Sequence, residues 1–172
     1  PPRTRLRSLD LLRGATVAFM ILVNNAGDWD RTWAPLLHAE WHGWTPTDLV
    51  FPFFLFVVGA AIPFALSEPP LAASENATVH RKVLRRGALL FLLGLALIWF
   101  PYYTVVWERA RIFGVLQRIG IVYVAAALAW IHLRPRGRAL LSLALLAGYW
   151  IAMKTIPVPG FGAGDLSPEG NL

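Results

Sequence analysis

Five apolar stretches, at residues 9–25, 46–66, 86–100, 115–133 and 139–156, take up more than half of this chain of 172 residues. Each approaches the roughly 20 residues that an α-helix needs to cross the hydrocarbon core of a bilayer. Any one of them also suits the buried helix of a water-soluble domain, but five in succession leave too little polar sequence to cover them. The expected fold is therefore all-α: a polytopic membrane helix bundle of about five transmembrane helices.

Composition agrees. Hydrophobic residues make up 56% of the chain and charged residues 15%, which is too apolar for an ordinary soluble domain of this length. Aromatic residues recur where apolar runs meet polar ones (Trp29, Trp41, Trp44, Tyr102, Tyr103, Trp107, Trp130 and Trp150), as in the belts that membrane proteins place at headgroup level. The absence of cysteine excludes disulfides, thiolate catalysis and thiolate metal sites. A net charge of +6 would suit nucleic acid, yet the basic residues lie beside the apolar spans and form no aromatic-interleaved stripe outside them, so no nucleic-acid partner is expected.

The cations instead report orientation. Eleven of the sixteen (Arg3, Arg5, Arg7, Arg13, Arg81, Lys82, Arg85, Arg86, Arg134, Arg136, Arg138) fall on one side of the five spans, and Arg31, Arg109, Arg111, Arg118 and Lys154 fall on the other. The N-terminus is thus expected to be cytoplasmic. Asp10 and Arg13 interrupt the first apolar run, so a cleavable signal peptide is not expected. Residues 68–80, with Pro69 and Pro70, read as a cytoplasmic loop, and the Gly- and Pro-rich residues 157–172 as an external loop.

Most ionisable chemistry gathers between His38 and Pro52, at the outer edge of the second span, where charged groups are costly to keep. Thr45-Pro46-Thr47-Asp48 has a hydroxyl at the N-cap, proline at the first helical position and a carboxylate at the third. Asp48 either caps this helix or orients a neighbouring histidine. His38 and His42 would share one face of a helix, the spacing of paired metal ligands, but no third ligand accompanies them and no metal is expected. A single histidine suits general base chemistry better, with its pKa near about 6.5. Asn24 and Asn25 end the first span with amides that either cap the helix or donate to an oxyanion. Arg109, Arg111, Gln117 and Arg118 form a polar patch before the fourth span, which binds an anion or pairs with Glu108 or Asp48. Asp10 and Arg13 have the spacing of an ion pair on one helix face, and Arg81-Lys82 with Arg85-Arg86 act first as a topology signal.

Three blocks then fall in a familiar order: Arg5 to Gly14 with its Asp-Leu-Leu-Arg-Gly ending, His38 to Pro52 followed by Phe-Phe-Leu-Phe-Val-Val-Gly59, and Arg111-Ile-Phe-Gly-Val-Leu-Gln-Arg-Ile-Gly120. Together they resemble the heparan-alpha-glucosaminide N-acetyltransferase family of transmembrane acetyltransferases. The resemblance implies an acyltransferase that moves acetyl from cytosolic acetyl-CoA to an amino sugar, or a sugar hydroxyl, on the non-cytoplasmic face. It places the family's active-site histidine on His38, its active-site asparagine on Asn24 and an acid of the family on Asp48. His38 would deprotonate the acceptor or briefly carry the acetyl, Asn24 would hold the oxyanion and Asp48 would orient the imidazole. For the CoA phosphates the candidates are Arg13, Arg85, Arg86 and Arg118.

The family's membrane domain is longer than this chain. Residues 1–156 are accordingly read as its N-terminal half, and residues 157–172 as an external loop leading to a missing C-terminal half that helps complete the pocket. The expected setting is a bacterial inner membrane with the His38 loop in the periplasm. Lipid, a glycan or amino-sugar acceptor and the rest of the acyltransferase domain are the expected partners. Small residues such as Gly59, Ala60, Ala61 and Ala65 also permit close helix packing within the chain or in a homodimer. The competing reading is half of a proton-coupled transporter or flippase for an envelope glycan precursor, with Asp48, His38 and Arg118 as its relay; a structural membrane subunit whose polar groups only cap helices is the third.

Overall fold

The computed structural model describes residues 6–66, 73–99 and 113–171, which divide into two compact units, residues 1–132 and 133–172. The first unit contains four helices. α1 (Arg7–Asn24) opens without a side-chain cap, and Asp10 in its first turn lies at the positive end of the helix dipole. A loop containing a 3-10 turn at Ala34–Leu36 leads to a second 3-10 turn, Pro46–Leu49, that runs directly into α2 (Val50–Ala65). Pro46 begins this turn, where its fixed φ is already suitable and its missing N–H has no intrahelical role. Pro63 lies inside α2, which ends two residues later; the Leu66 amide still reaches the Ile62 carbonyl at 2.9 Å.

α3 (Ala73–Trp99) spans 27 residues and begins well before the expected residue 86. Residues 73–80, expected to be loop, are helical. Pro69 and Pro70 suggested an irregular segment, but nothing beyond them breaks a helix, and the Ala, Glu, Arg, Lys and Leu that follow are strong helix formers. α4 (Val115–His132) agrees with expectation to within a residue at its end.

α2, α3 and α4 share a core of Ile62, Leu66, Val83, Ala127 and Ile131, and α1 packs on α2. The closest seam lies between α3 and α4, where glycines bring the backbones together. A methyl group on Gly120 would sit 2.8 Å from the Gly87 carbonyl oxygen, and one on Gly87 would run into Val124. On the outer surfaces, large apolar side chains remain uncovered, among them Phe56, Leu92 and Leu97, each more than half exposed.

The second unit consists of α5 (Pro135–Thr155) and a two-stranded antiparallel hairpin, β1 (Pro157–Val158) and β2 (Gly162–Ala163), with Pro157 opposite Ala163. α5 begins four residues before its apolar stretch because Pro135 takes the first helical position and Arg136, Gly137 and Arg138 fill the first turn. The hairpin turn follows from Pro159-Gly160: proline presets the first central residue, and Gly160 supplies the φ of 90° that the next demands. Residues 157–172 therefore contain a short hairpin within what the sequence presented as loop. The Asp165 carboxyl, held below its usual range by the amide and hydroxyl of Ser167, anchors the turn that follows.

Among the described residues two helical segments, Pro46–Ala65 and Val115–His132, are long and apolar enough to cross a membrane. The five-span expectation is not met by the same standard in the other three, which carry charges within the helical frame: Arg7, Asp10 and Arg13 in α1, Arg81, Lys82, Arg85 and Arg86 in α3, and Arg136, Arg138 and Lys154 in α5.

The α3–α4 seam generates a stability prediction. Gly120→Val pushes a side chain against the Gly87 carbonyl, which cannot rotate away, and is expected to destabilise the fold by about 1–3 kcal/mol. A thermal melt in detergent measures this; a midpoint equal to that of the native protein contradicts the close approach.

Candidate functional site

The site grows out of the start of α2. Thr45 adopts an extended N-cap conformation, φ −119° and ψ 167°, which brings Asp48 back over it. The Asp48 Oδ2 accepts the Thr45 amide at 2.8 Å, the reciprocal arm of a capping box. The Thr45 hydroxyl, 3.1 Å from that same oxygen, donates to the Leu37 carbonyl at 2.6 Å. The buried Thr47 hydroxyl donates to the Pro35 carbonyl at 3.3 Å. One helical turn thus holds the preceding loop by hydroxyls two residues apart.

That anchoring delivers His38. Its Nδ1 lies 2.6 Å from Asp48 Oδ1, and the next residue, Ala39, donates its amide to Asp48 Oδ2 at 3.2 Å. The carboxylate accepts, so Nδ1 carries the proton of this bond, and in the neutral form of the ring the lone pair is on Nε2. The His38 side chain is 74% exposed and that of Asp48 28%, an arrangement in which a half-sheltered acid orients an accessible base. Asp48 caps the turn and orients the histidine together; the two readings of the sequence describe one group.

Other expectations fare differently. Residues 40–43 form bends rather than a helix, with Gly43 at φ 101°, so His38 and His42 do not share a helical face. The geometric basis for pairing them on a metal is gone. Among the described residues no group of three or more His, Cys, Asp or Glu side chains is placed to hold a metal. Asn24 and Asn25 donate one amide N–H each to the carbonyls of Met20 and Ile21, at 2.8 and 2.7 Å, and so cap the end of α1. The second N–H of the Asn24 amide is not used by that bond.

Arg13 pairs with Asp10 at 3.6 Å, as their spacing suggested. Arg85, Arg86 and Arg118 are exposed on α3 and α4, but they do not form one cluster. The helices run antiparallel, with Gln117 against Gly94 and His132 against His80, so about 10 Å of helix axis separates the levels of Arg86 and Arg118. Arg109 and Arg111 lie outside the described residues.

One contact had no counterpart in the sequence reading, and Gln117, expected in the polar patch before α4, is instead buried. His80 and His132, 52 residues apart, share a hydrogen bond of 2.8 Å between their Nε2 atoms. Gln117 is 1% exposed and fills the space that Gly94 and Gly114 leave open; methyl groups there would lie 2.5 and 2.6 Å from its Oε1. Both follow from the antiparallel register of α3 and α4, which no local pattern encodes; the glycines are the one signal that could have pointed to Gln117.

Residues 5–170 match the family described as heparan-alpha-glucosaminide N-acetyltransferase, catalytic. The chain is 33% identical over 194 aligned residues to the human protein named heparan-alpha-glucosaminide N-acetyltransferase, and 30% identical over 190 to the mouse protein of the same name. These alignments take in 99% and 96% of this chain and 28% of each relative, so the chain spans less than a third of the length of the curated relatives it matches. On the strength of a match along nearly its whole length, the chain belongs to the heparan-alpha-glucosaminide N-acetyltransferase family.

Proposed function

We propose that this chain carries the catalytic base of an integral-membrane acetyltransferase that moves acetyl from cytosolic acetyl-CoA to an amino sugar on the opposite face. The observation that carries the proposal is the 2.6 Å contact between His38 Nδ1 and Asp48, which leaves Nε2 accessible as a base at the mouth of α2. In one step the acceptor nitrogen attacks the thioester carbonyl while Nε2 takes its proton. The C–S bond then breaks, CoA leaves as the thiolate and the proton is returned to it. Alternatively, Nε2 itself attacks the thioester carbonyl, CoA leaves as the thiolate and takes up the proton lost from the acetylated ring, and the acceptor amine then takes the acetyl from Nε2 while its own proton returns to the imidazole. Both routes need the lone pair that Asp48 keeps pointed outward. The second N–H of Asn24 is the donor proposed for the oxyanion.

In the proposed topology all five helices cross the bilayer with the start of α1 in the cytoplasm. The charges in α1 and α3 are concentrated towards the first half of each, and those in α5 are mostly in its first turn, as expected of alternate helices that start from the same cation-rich side. On that side Arg85 and Arg86, with Arg13, would meet the CoA phosphates. Arg118 stands at the other level of the α3–α4 pair and is better suited to the acceptor side. The setting proposed is a bacterial inner membrane, and residues from the rest of the catalytic domain would complete the pocket.

Transfer of label from radiolabelled acetyl-CoA to glucosamine, followed in proteoliposomes of the intact protein, tests the reaction. His38→Ala is expected to lower kcat on the order of 100- to 10,000-fold while acetyl-CoA still binds; native turnover in that variant ends the assignment. Asp48→Asn is expected to lower kcat by a comparable factor, because the amide must turn its NH2 either toward His38 or toward the two backbone donors on the other oxygen; native kcat there would leave Asp48 a cap alone. Replacing Arg85 and Arg86 by Ala is expected to raise the KM for acetyl-CoA about tenfold, and an unchanged KM removes them from the CoA site.

A further inference from the structure

Between the two residues matched to the family's active site, Asn24 and His38, the chain folds over a cavity of about 360 Å³. Its wall begins at Leu22 and Val23 in the last turn of α1, continues through Asn25, next to Asn24, and ends at Leu36, two residues before His38. The volume falls in the lower part of the range of small-molecule sites, roughly 300–1,000 Å³.

The lining is of mixed character. Asn25, Asp28, Arg31 and Thr32 contribute an amide, a carboxylate, a guanidinium and a hydroxyl, and Trp33 contributes an indole that is 72% exposed. The loop is internally braced. The Asp28 carboxylate accepts the Asp30 amide at 3.0 Å, and the Thr32 hydroxyl donates to the Asp28 carbonyl at 2.6 Å. Its far end is fixed by the bonds from Thr45 and Thr47 to Leu37 and Pro35. The polar groups are therefore held by the same turn that holds His38.

Hydroxyl-matching polar groups beside an indole face suit a pyranose, whose ring carries C–H bonds on one face and hydroxyls around its rim. The Arg31 side chain is 89% exposed, and its Nε lies 3.7 Å from Asp28 Oδ2, too long for a strong charged hydrogen bond. Its guanidinium is thus suited to a carboxylate, sulfate or phosphate on the ligand. A headgroup-level tryptophan would explain exposure alone, but not its place in the wall of a cavity that also collects four polar side chains.

We infer that this cavity is the acceptor subsite: Trp33 is the platform on which the amino-sugar ring stacks, and Arg31 selects acceptors with an anionic substituent. The inference rests on the acetyltransferase reading above and adds to it residues that the chemistry at His38 does not require.

The test uses the intact protein in proteoliposomes with acetyl-CoA and two acceptors, glucosamine and glucosamine 6-phosphate. Trp33→Ala is expected to raise the acceptor KM roughly tenfold with a much smaller effect on the KM for acetyl-CoA, and Trp33→Phe to recover much of the loss. Arg31→Gln is expected to lower kcat/KM for glucosamine 6-phosphate about tenfold more than for glucosamine. Saturation-transfer NMR with the same sugars reads binding without turnover and should lose its signal in Trp33→Ala. Native acceptor KM values in Trp33→Ala and Arg31→Gln, with transfer intact, overturn the subsite and leave the reaction standing. No transfer by the native protein to either sugar, together with no NMR signal, overturns both.

Discussion

The Asp48 carboxylate divides its two oxygens between two tasks, and the start of α2 and the loop before it depend on both. Oδ1 takes the His38 ring, while Oδ2 takes the amides of Thr45 and Ala39. A carboxylate drawn partly out of water is costly unless its lone pairs are filled, and here the donors that fill them are those that need positioning. The bonds that stabilise the charge are also the bonds that fix the loop. A protein with a separate cap and a separate orienting acid would have to bury two such charges.

Hydroxyl spacing extends the effect. Thr45 and Thr47 sit two apart in a 3-10 turn and reach Leu37 and Pro35, also two apart, in the incoming loop. The cavity between Asn25 and Leu36 inherits its far wall from those contacts. Local capping preferences at the start of α2 thereby determine the shape of a site formed by residues ten to twenty positions earlier.

The all-helical fold and the positions of α1, α2 and α4 were legible because apolar runs and caps are local signals. The start of α3 was not, since two prolines in residues 68–80 outweighed the helix-forming residues beyond them. Of the five expected spans, α2 and α4 are long and apolar enough to cross a membrane by composition alone, whereas α1, α3 and α5 carry charges inside their helical frames. In the site, Asp48 and His38 could be paired from a capping motif and a family pattern, and the observed bond agrees. The His38–His42 metal alternative depended on a helix that Gly43 and its neighbours do not form. Gln117 and the His80–His132 pair depend on which residues of α3 face which of α4, and that register is a property of packing.

The glycine seam has a mechanical consequence. Gln117 fills the gap left by Gly94 and Gly114, and a slip of α3 by one turn in either direction would bring Leu90 or Ile98 against it instead. With Gly87 and Gly120 in backbone contact farther along, α3 and α4 are keyed at two levels and move as one body. This pair therefore offers no surface on which one helix can slide past the other.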